Sequence, residues 1–202
     1  MLHPSIQIRW IDNEKGYGLF ASESLPKGTV TWALDKMDRI YQAKQIEKMP
    51  VNYQHQIAKY GYRNAKGNYI LCWDLGKYMN HSCKPNTLSP GLKFDLAIED
   101  IQAGEEVTTD YSSLNLEEEL SCTCGAKNCR KKIIDEDFDL YIEDWDQKIQ
   151  KAFLNMDQVK QPLWPWVEEQ KLLHKIHQDR KNIPSIVKHR YRKDNHTFPA
   201  HE

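Results

Sequence analysis

At 202 residues, with 40% hydrophobic and 28% charged side chains, the chain is long enough for one domain with a small appendage and one sizeable core. Its formal net charge of -1 gives no overall field that would recommend nucleic acid or an anionic membrane as partner. No apolar run approaches the ~20 residues of a membrane-spanning helix, and the opening MLHPSIQIRW lacks a signal peptide's apolar centre and cleavage site. The expected location is intracellular, cytoplasmic by default, with nuclear and secreted-effector destinations left open. In such a place thiols stay reduced, so grouped cysteines favour a metal over disulfides.

The first half reads as short strands and turns. Ile6 and Ile8 alternate with polar residues, and Asp12-Asn13-Glu14-Lys15-Gly16 is turn chemistry. Gly18-Leu19-Phe20-Ala21 suits a strand; Leu25-Pro26-Lys27-Gly28 is a turn that leads into Thr29-Val30. A like phrase, Ile101-Gln102-Ala103-Gly104, reads as a second hairpin corner. Residues 35–60 are polar and read as helical, with Ile40, Ile46 and Met49 facing inward. Asn68 to Trp73 and Lys93 to Ile98 read as strands. After Cys129 the pattern changes: Phe138, Tyr141, Ile142, Trp145, Ile149 and Phe153 fall at helical spacing. A second helix is expected from Trp166 to about His177, with Val167, Leu173 and Ile176 on one face, and the tail from Ile183 is basic with disorder expected at its end.

The strongest local signal is Cys122-x-Cys124-x4-Cys129. Thiolates this close converge on one ion, and zinc takes four ligands at ~2.3 Å from sulfur. A fourth ligand is missing nearby, and Cys83 is the best remaining candidate. The bland alternative is three buried cysteines acting as small apolar residues. Three further segments are weak alone: Lys15-Gly16-Tyr17-Gly18-Leu19-Phe20-Ala21, Asn80-His81-Ser82-Cys83-Lys84-Pro85-Asn86, and Gly104-Glu105-Glu106-Val107-Thr108-Thr109-Asp110-Tyr111.

In this order, the glycine turn, NHSCxPN, GEExxxDY and CxCGx4CR resemble the SET-domain protein-lysine methyltransferase family with its post-SET zinc motif, over about residues 5 to 133. The resemblance implies a mainly β fold, several small sheets around a pseudoknot, followed by a helical C-terminal extension. It divides the chain into a SET domain (1–120), a post-SET zinc-binding segment (121–134) and the extension (135–202). The implied cofactors are S-adenosylmethionine and one structural Zn2+. Gly16, Tyr17 and Gly18 would hold the methionine part of the cofactor by their backbone, with Asn80 and His81 beside it. Tyr60 or Tyr62 would give a further contact, the register being open. Tyr111 would be the active-site tyrosine and Cys83, Cys122, Cys124 and Cys129 the metal ligands. The implied reaction moves a methyl group to a lysine of a protein substrate, a histone or another basic tail.

Three departures matter. Arg130-Lys131-Lys132 stands where the family has Arg-Gly, which puts the loop after the zinc cysteines in question. Thr109 and Leu96 replace aromatics that set channel width in relatives, so room for di- or trimethylation is expected. Residues 171–193 carry eight Lys/Arg against one acid, and residues 133–147 seven acids with no Lys or Arg. These runs read as solvated faces, or as sites for an acidic partner and a basic tail. Two other functions compete: a non-catalytic SET-like protein-binding module, and a small zinc protein that binds nucleic acid, the latter lacking a paired knuckle or recognition helix.

Overall fold

The computed structural model describes residues 1–192, so the expectation for the tail's end falls outside the described residues. Strands β1 (Ile6–Asp12), β2 (Gly16–Ala21), β3 (Val30–Ala33) and β4 (Arg39–Tyr41) precede helices α1 (Ala43–Ile46) and α2 (Val51–Tyr60). Strands β5 (Gly61–Arg63), β6 (Tyr69–Leu71), β7 (Asn80–His81), β8 (Thr87–Leu88), β9 (Phe94–Ala97) and β10 (Glu106–Thr109) follow. Then come β11 (Leu120–Ser121), β12 (Lys132–Ile133), α3 (Asp137–Asn155) and α4 (Gln170–Gln178). No helix among the described residues is long and apolar enough to cross a membrane.

The strands form small sheets with orders β1-β2-β10-β7, β3-β9-β8, β4-β6-β5 and β11-β12. All neighbours are antiparallel except β7 and β10, which run parallel, with Thr108 opposite Asn80 and Thr109 opposite His81. A parallel pair cannot be closed by a tight hairpin. Here the chain leaves β7, builds β8 and β9, and returns to lay β10 between β2 and β7. The two similar corners at Leu25 and Ile101 meet each other, exchanging backbone hydrogen bonds of 2.8 and 2.9 Å.

The main core joins the β3-β9-β8 sheet to the C-terminal helices. Val30, Leu88, Phe94 and Leu96 pack with Phe138, Trp145, Ile149 and Phe153 of α3 and with Leu173 and Ile176 of α4. Phe94 meets Phe153 edge to face at 6.4 Å. Each such buried side chain contributes roughly 1.5–3 kcal/mol of transfer energy, so α3 is held by its apolar stripe. Asp137 and Asp139 in its first turn suit the positive end of the helix dipole. Gly28, at φ +94°, brings its turn so close to α3 that a Cβ would stand 2.8 Å from the Ala152 carbonyl. Gln161 fixes that approach, accepting from Val30 N (2.9 Å) and donating to the Gly28 and Met156 carbonyls (2.7 and 3.0 Å).

Two expectations are corrected. Residues 35–60 are not one helix: β4 pairs with β6 and only α1 and α2 are helical, while Ile40 is 51% exposed and Ile46 and Met49 are only half-buried. Pro50 separates the two helices, and pairing of Ile40 with Ile70 overrides local polarity. The second C-terminal helix begins at Gln170, four residues later than expected, because Trp164–Trp166 forms a separate 3-10 turn containing Pro165. Val167 is buried nonetheless.

The loop after Cys129 closes through an unusual backbone. Lys131 adopts φ +64°, the left-handed region that glycine enters freely. Its carbonyl accepts from Cys122 N at 2.7 Å and its N–H points to Cys129 Sγ at 3.4 Å, so the conformation is fixed by backbone contacts. A non-glycine residue at this angle carries backbone strain. Lys131→Gly is expected to stabilise the protein by about 1 kcal/mol, a rise of roughly 2–4 °C in melting temperature by calorimetry; an unchanged or lower value would contradict the strain.

Candidate active site and cysteine cluster

The parallel crossing places the sequence motifs side by side. Asn86 locks it: its Nδ2 donates to the Glu106 carbonyl and its Oδ1 accepts from Thr108 N, both at 2.8 Å. Ser82 N donates to the Thr109 carbonyl at 2.9 Å. Asn80 then reaches across to β2, its Nδ2 donating to the Tyr17 carbonyl (3.1 Å) and to Glu106 Oε1 (2.8 Å). Gly18 leaves room for this contact: a Cβ would sit 2.6 Å from Glu106 Oε1 and Ile11 Cδ1 and 2.9 Å from Asn80 Nδ2, so those side-chain ends would have to move aside. Gly16, at φ +73°, makes the preceding turn.

Tyr111 follows β10 directly. Its N–H donates to His81 Nδ1 (3.1 Å) and its hydroxyl to the Met79 carbonyl (2.8 Å). Burial, with Glu106 adding to it, pushes its hydroxyl up to about 12, so Tyr111 stays protonated at neutral pH. Burial beside the Arg130 guanidinium lowers His81 to about 4, so His81 is neutral. Because Nδ1 accepts, the ring proton sits on Nε2, which lies 3.3 Å from Cys83 Sγ.

Tyr111 also lines a cavity of about 550 Å³, together with Thr109, Tyr60, Tyr62, Trp32 and Asp95. None of Gly16, Tyr17, Gly18, Asn80 or His81 lines it. Tyr111 therefore stands between the glycine turn with the Asn80-His81 strand on one side and the cavity on the other. Tyr60 continues a run of edge-to-face rings, Tyr60–Tyr78–Tyr17–Trp10, with centroids 5.5, 5.8 and 5.2 Å apart, toward the glycine turn. Tyr62 faces elsewhere, 6.2 Å from the Trp32 ring. Of the two tyrosines left open by the sequence, only Tyr60 joins the glycine-turn side by ring contact among the described residues.

One reading about the cavity is corrected. Leu96 is fully buried in the main core and does not line the cavity. Strand alternation turns its neighbour Asp95 to that side instead. Sequence reading also missed Met79, Tyr78, Glu106 and Arg130; each adjoins a motif residue, which was the available signal.

The four cysteines converge and none forms a disulfide. Cys122 Sγ lies 3.7 Å from Cys83 Sγ and 3.5 Å from Cys129 Sγ. His81, Cys83, Cys122 and Cys124 also place ligand atoms within 4.8 Å of one another, so His81 competes with Cys129 for a place in the set. Sulfurs ~2.3 Å from a tetrahedral centre stand about 3.8 Å apart, so the Cys83–Cys122 and Cys122–Cys129 spacings suit ligands of a shared ion. Burial pushes the Cys122 thiol up, and hydrogen bonds from its neighbours add to that. Cys124 is half-buried, and although desolvation raises its thiol, N–H groups of Cys83 and Ala126 bring it down to about 7. Arg130 N and Nε each approach Cys83 Sγ at 3.4 Å. Such donors stabilise thiolates, the ligating form.

Residues 16–112 match the family model described as SET domain. Among curated relatives, the human histone-lysine N-methyltransferase 2D is 29% identical over 139 residues, 58% of this chain and 2% of that protein. The Arabidopsis thaliana histone-lysine N-methyltransferase ASHH3 is 24% identical over 180 residues, 74% of this chain and 47% of that one. The chain thus spans less than half the length of either relative. The crystal structure of the methyltransferase domain of human histone-lysine N-methyltransferase SETMAR aligns with a TM-score of 0.47 and 24% identity, covering 64% of this chain and 58% of that one. The matched stretch holds the glycine turn, the Asn80-His81 strand and Tyr111, and over it the chain is similar to the SET-domain family.

Proposed function

We propose that the chain is a protein-lysine N-methyltransferase that takes its methyl group from S-adenosylmethionine. The observation that carries this is the position of Tyr111, held by His81 and Met79 on one side and lining a cavity of about 550 Å³ on the other. The backbone of Gly16, Tyr17 and Gly18, with Asn80 and His81, would hold the cofactor, and Tyr60 reaches that side through its ring contacts. S-adenosylmethionine, when bound, supplies an electrophilic methyl on a sulfonium. The chain's part is positioning. The cavity excludes water around a lysine side chain, whose ammonium (pKa ≈10.4 free) must lose a proton before it can attack. Desolvation favours that loss. Tyr111, protonated and tied to Met79 O, offers oxygen lone pairs that orient amine and methyl; it does not serve as the base. The substrate class is a protein with an exposed lysine, histones being the first to test, and a nuclear site of action goes with histones. A non-catalytic binding module would not need a buried, oriented Tyr111.

The cysteine cluster is assigned one structural zinc held by Cys83, Cys122, Cys124 and Cys129. His81 is set aside as a ligand because its Nδ1 accepts the Tyr111 N–H and its proton therefore occupies Nε2. Four thiolates leave no open position, so the ion would brace the segment after β10 without taking part in transfer.

Calorimetry with S-adenosylmethionine should show binding, and radiolabel should pass to purified core histones. Tyr111→Phe should lower kcat at least 100-fold with cofactor Kd within about twofold; wild-type protein that binds no cofactor would end the proposal. Elemental analysis of protein purified from zinc-supplemented cells should give one zinc per chain, lost in Cys129→Ser and kept in His81→Gln; the reverse pattern would reassign the fourth ligand. Mass spectrometry after exhaustive turnover should show products beyond monomethyl-lysine, and Thr109→Phe, which narrows the cavity, should restrict them to monomethyl; a wild-type product that stops at one methyl would refute the wide channel.

A further inference from the structure

Asp95 is an anomaly in the cavity wall. It stands on β9 opposite Trp32 of β3, and its carboxylate takes part in no hydrogen bond or ion pair among the described residues. The neighbouring acids behave differently. Asp38 accepts from Asp35 N (2.9 Å) and Trp73 N (3.1 Å). Asp74 accepts from Leu2 N (2.6 Å) and Gly76 N (2.9 Å). Asp35 accepts from Met37 N (2.7 Å) and Trp73 Nε1 (2.9 Å). The ammonium of Met1 offsets Asp95 at a distance but is engaged by Asp35 and Asp74 at 3.1 and 3.4 Å. Asp95 is half-buried with its side chain facing the cavity, and desolvation there pushes its carboxyl up to about 7. Around it stand Trp32, Tyr62 and Cys72, apolar or weakly polar groups that offer it no cation.

We infer that Asp95 is the anionic floor of the cavity, a specificity-determining residue that selects an alkylammonium cation as the occupant. Three features point to that chemistry together. The carboxylate lacks an internal counter-charge. The wall carries the rings of Trp32, Tyr60, Tyr62 and Tyr111, and ring faces attract cations that cannot donate hydrogen bonds, quaternary ammonium above all; Lys59, Lys77 and Arg63 also border the cavity, Arg63 being paired with Glu117 at 3.0 Å. The cavity, at about 550 Å³, lies within the range of small-ligand sites and exceeds the needs of a narrow tube. In the methyltransferase reading, on which this assignment of the natural occupant rests, each added methyl makes the lysine nitrogen bulkier and leaves the methylated product cationic. An anionic, ring-lined floor therefore favours retention of the methylated, cationic lysine, while desolvation drives the proton loss that each transfer requires.

The test uses the full chain and two soluble probes of equal shape, choline and its neutral isostere 3,3-dimethylbutan-1-ol, titrated by ligand-observed NMR. Wild-type protein should bind choline at least tenfold more tightly than the isostere. Asp95→Asn and Asp95→Leu should abolish that preference, and Asp95→Leu should raise the melting temperature, because an unpartnered buried carboxylate is removed. Failure of choline to bind, equal binding of the two probes, or a preference that survives Asp95→Asn overturns the inference. A fall in melting temperature for Asp95→Leu does so as well, since it would make Asp95 a structural residue. Calorimetry with S-adenosylmethionine on the same preparations separates the two levels: cofactor binding without choline preference removes only this inference, and choline preference without cofactor binding removes the methyltransferase reading while the cation site stands.

Discussion

The site is assembled around one guanidinium. Arg130 donates to Asp110 Oδ1 (2.6 Å), Ser112 Oγ (3.1 Å) and Asp137 Oδ2 (3.1 Å), approaches Cys83 Sγ (3.4 Å), and lies over the Tyr141 ring at 4.9 Å. It thereby ties the cysteine loop to the turn that carries Tyr111 and to the first turns of α3. Arginine suits the position because its donors fork in one plane and its charge persists when buried. Removing it would leave Asp110 and Asp137 without their counter-charge in a nearly closed space, a loss on the order of 3–5 kcal/mol for broken buried pairs. The same cation helps keep His81 neutral. Electrostatics and architecture therefore act at one point: the group that locks the chain's late segments also adds to the burial that keeps the ring holding Tyr111 neutral.

The charged runs at the C-terminal end find a related use. Arg190 pairs with Asp135 (2.5 Å) and Asp139 (3.1 Å) and covers the Phe138 ring at 5.0 Å; Arg192 adds a bond to Asp139 (2.7 Å). The basic end therefore meets part of the acidic stretch within the same chain, leaving less free charge for a partner than the separate runs suggest. Exposed pairs contribute little each. The firmer anchor is Asn115, buried in a left-handed conformation at φ +57°. Its amide donates to the Arg63 and His189 carbonyls (3.0 and 2.9 Å) and accepts from Tyr191 N (2.7 Å). One amide thus joins β5 and the chain's last described segment beside the cavity.

What was legible in the sequence follows from how local each determinant is. The glycine turn, the Asn80-His81 strand and the cysteine spacing carry their chemistry in consecutive residues, so they could be read directly. The stripe from Phe138 to Phe153 could be read because helical periodicity is local. The stretch from residue 35 to 60 could not: β4 exists because β6 pairs with it, and nothing within that stretch announces its partner. The Leu96 assignment failed for a similar reason. Alternation says that neighbours face opposite ways, but only the packing of α3 on β9 decides which face is core.

Lys131 shows the limit of reading loops by residue type. A lysine there suggested altered geometry, yet the loop keeps the left-handed turn, because Cys122 N and Cys129 Sγ both bind the Lys131 backbone. Geometry that several sulfurs and an arginine require in common is over-determined, and a few tenths to a kilocalorie of backbone strain cannot change it. Gly28 has no such tolerance: a Cβ there would stand 2.8 Å from the Ala152 carbonyl and 2.9 Å from Met156 N, backbone atoms of the helix end that cannot swing aside as a side-chain terminus can. The positions of this fold that resist substitution are those where a close approach joins two motifs, and a merely unusual backbone angle is carried by its neighbours.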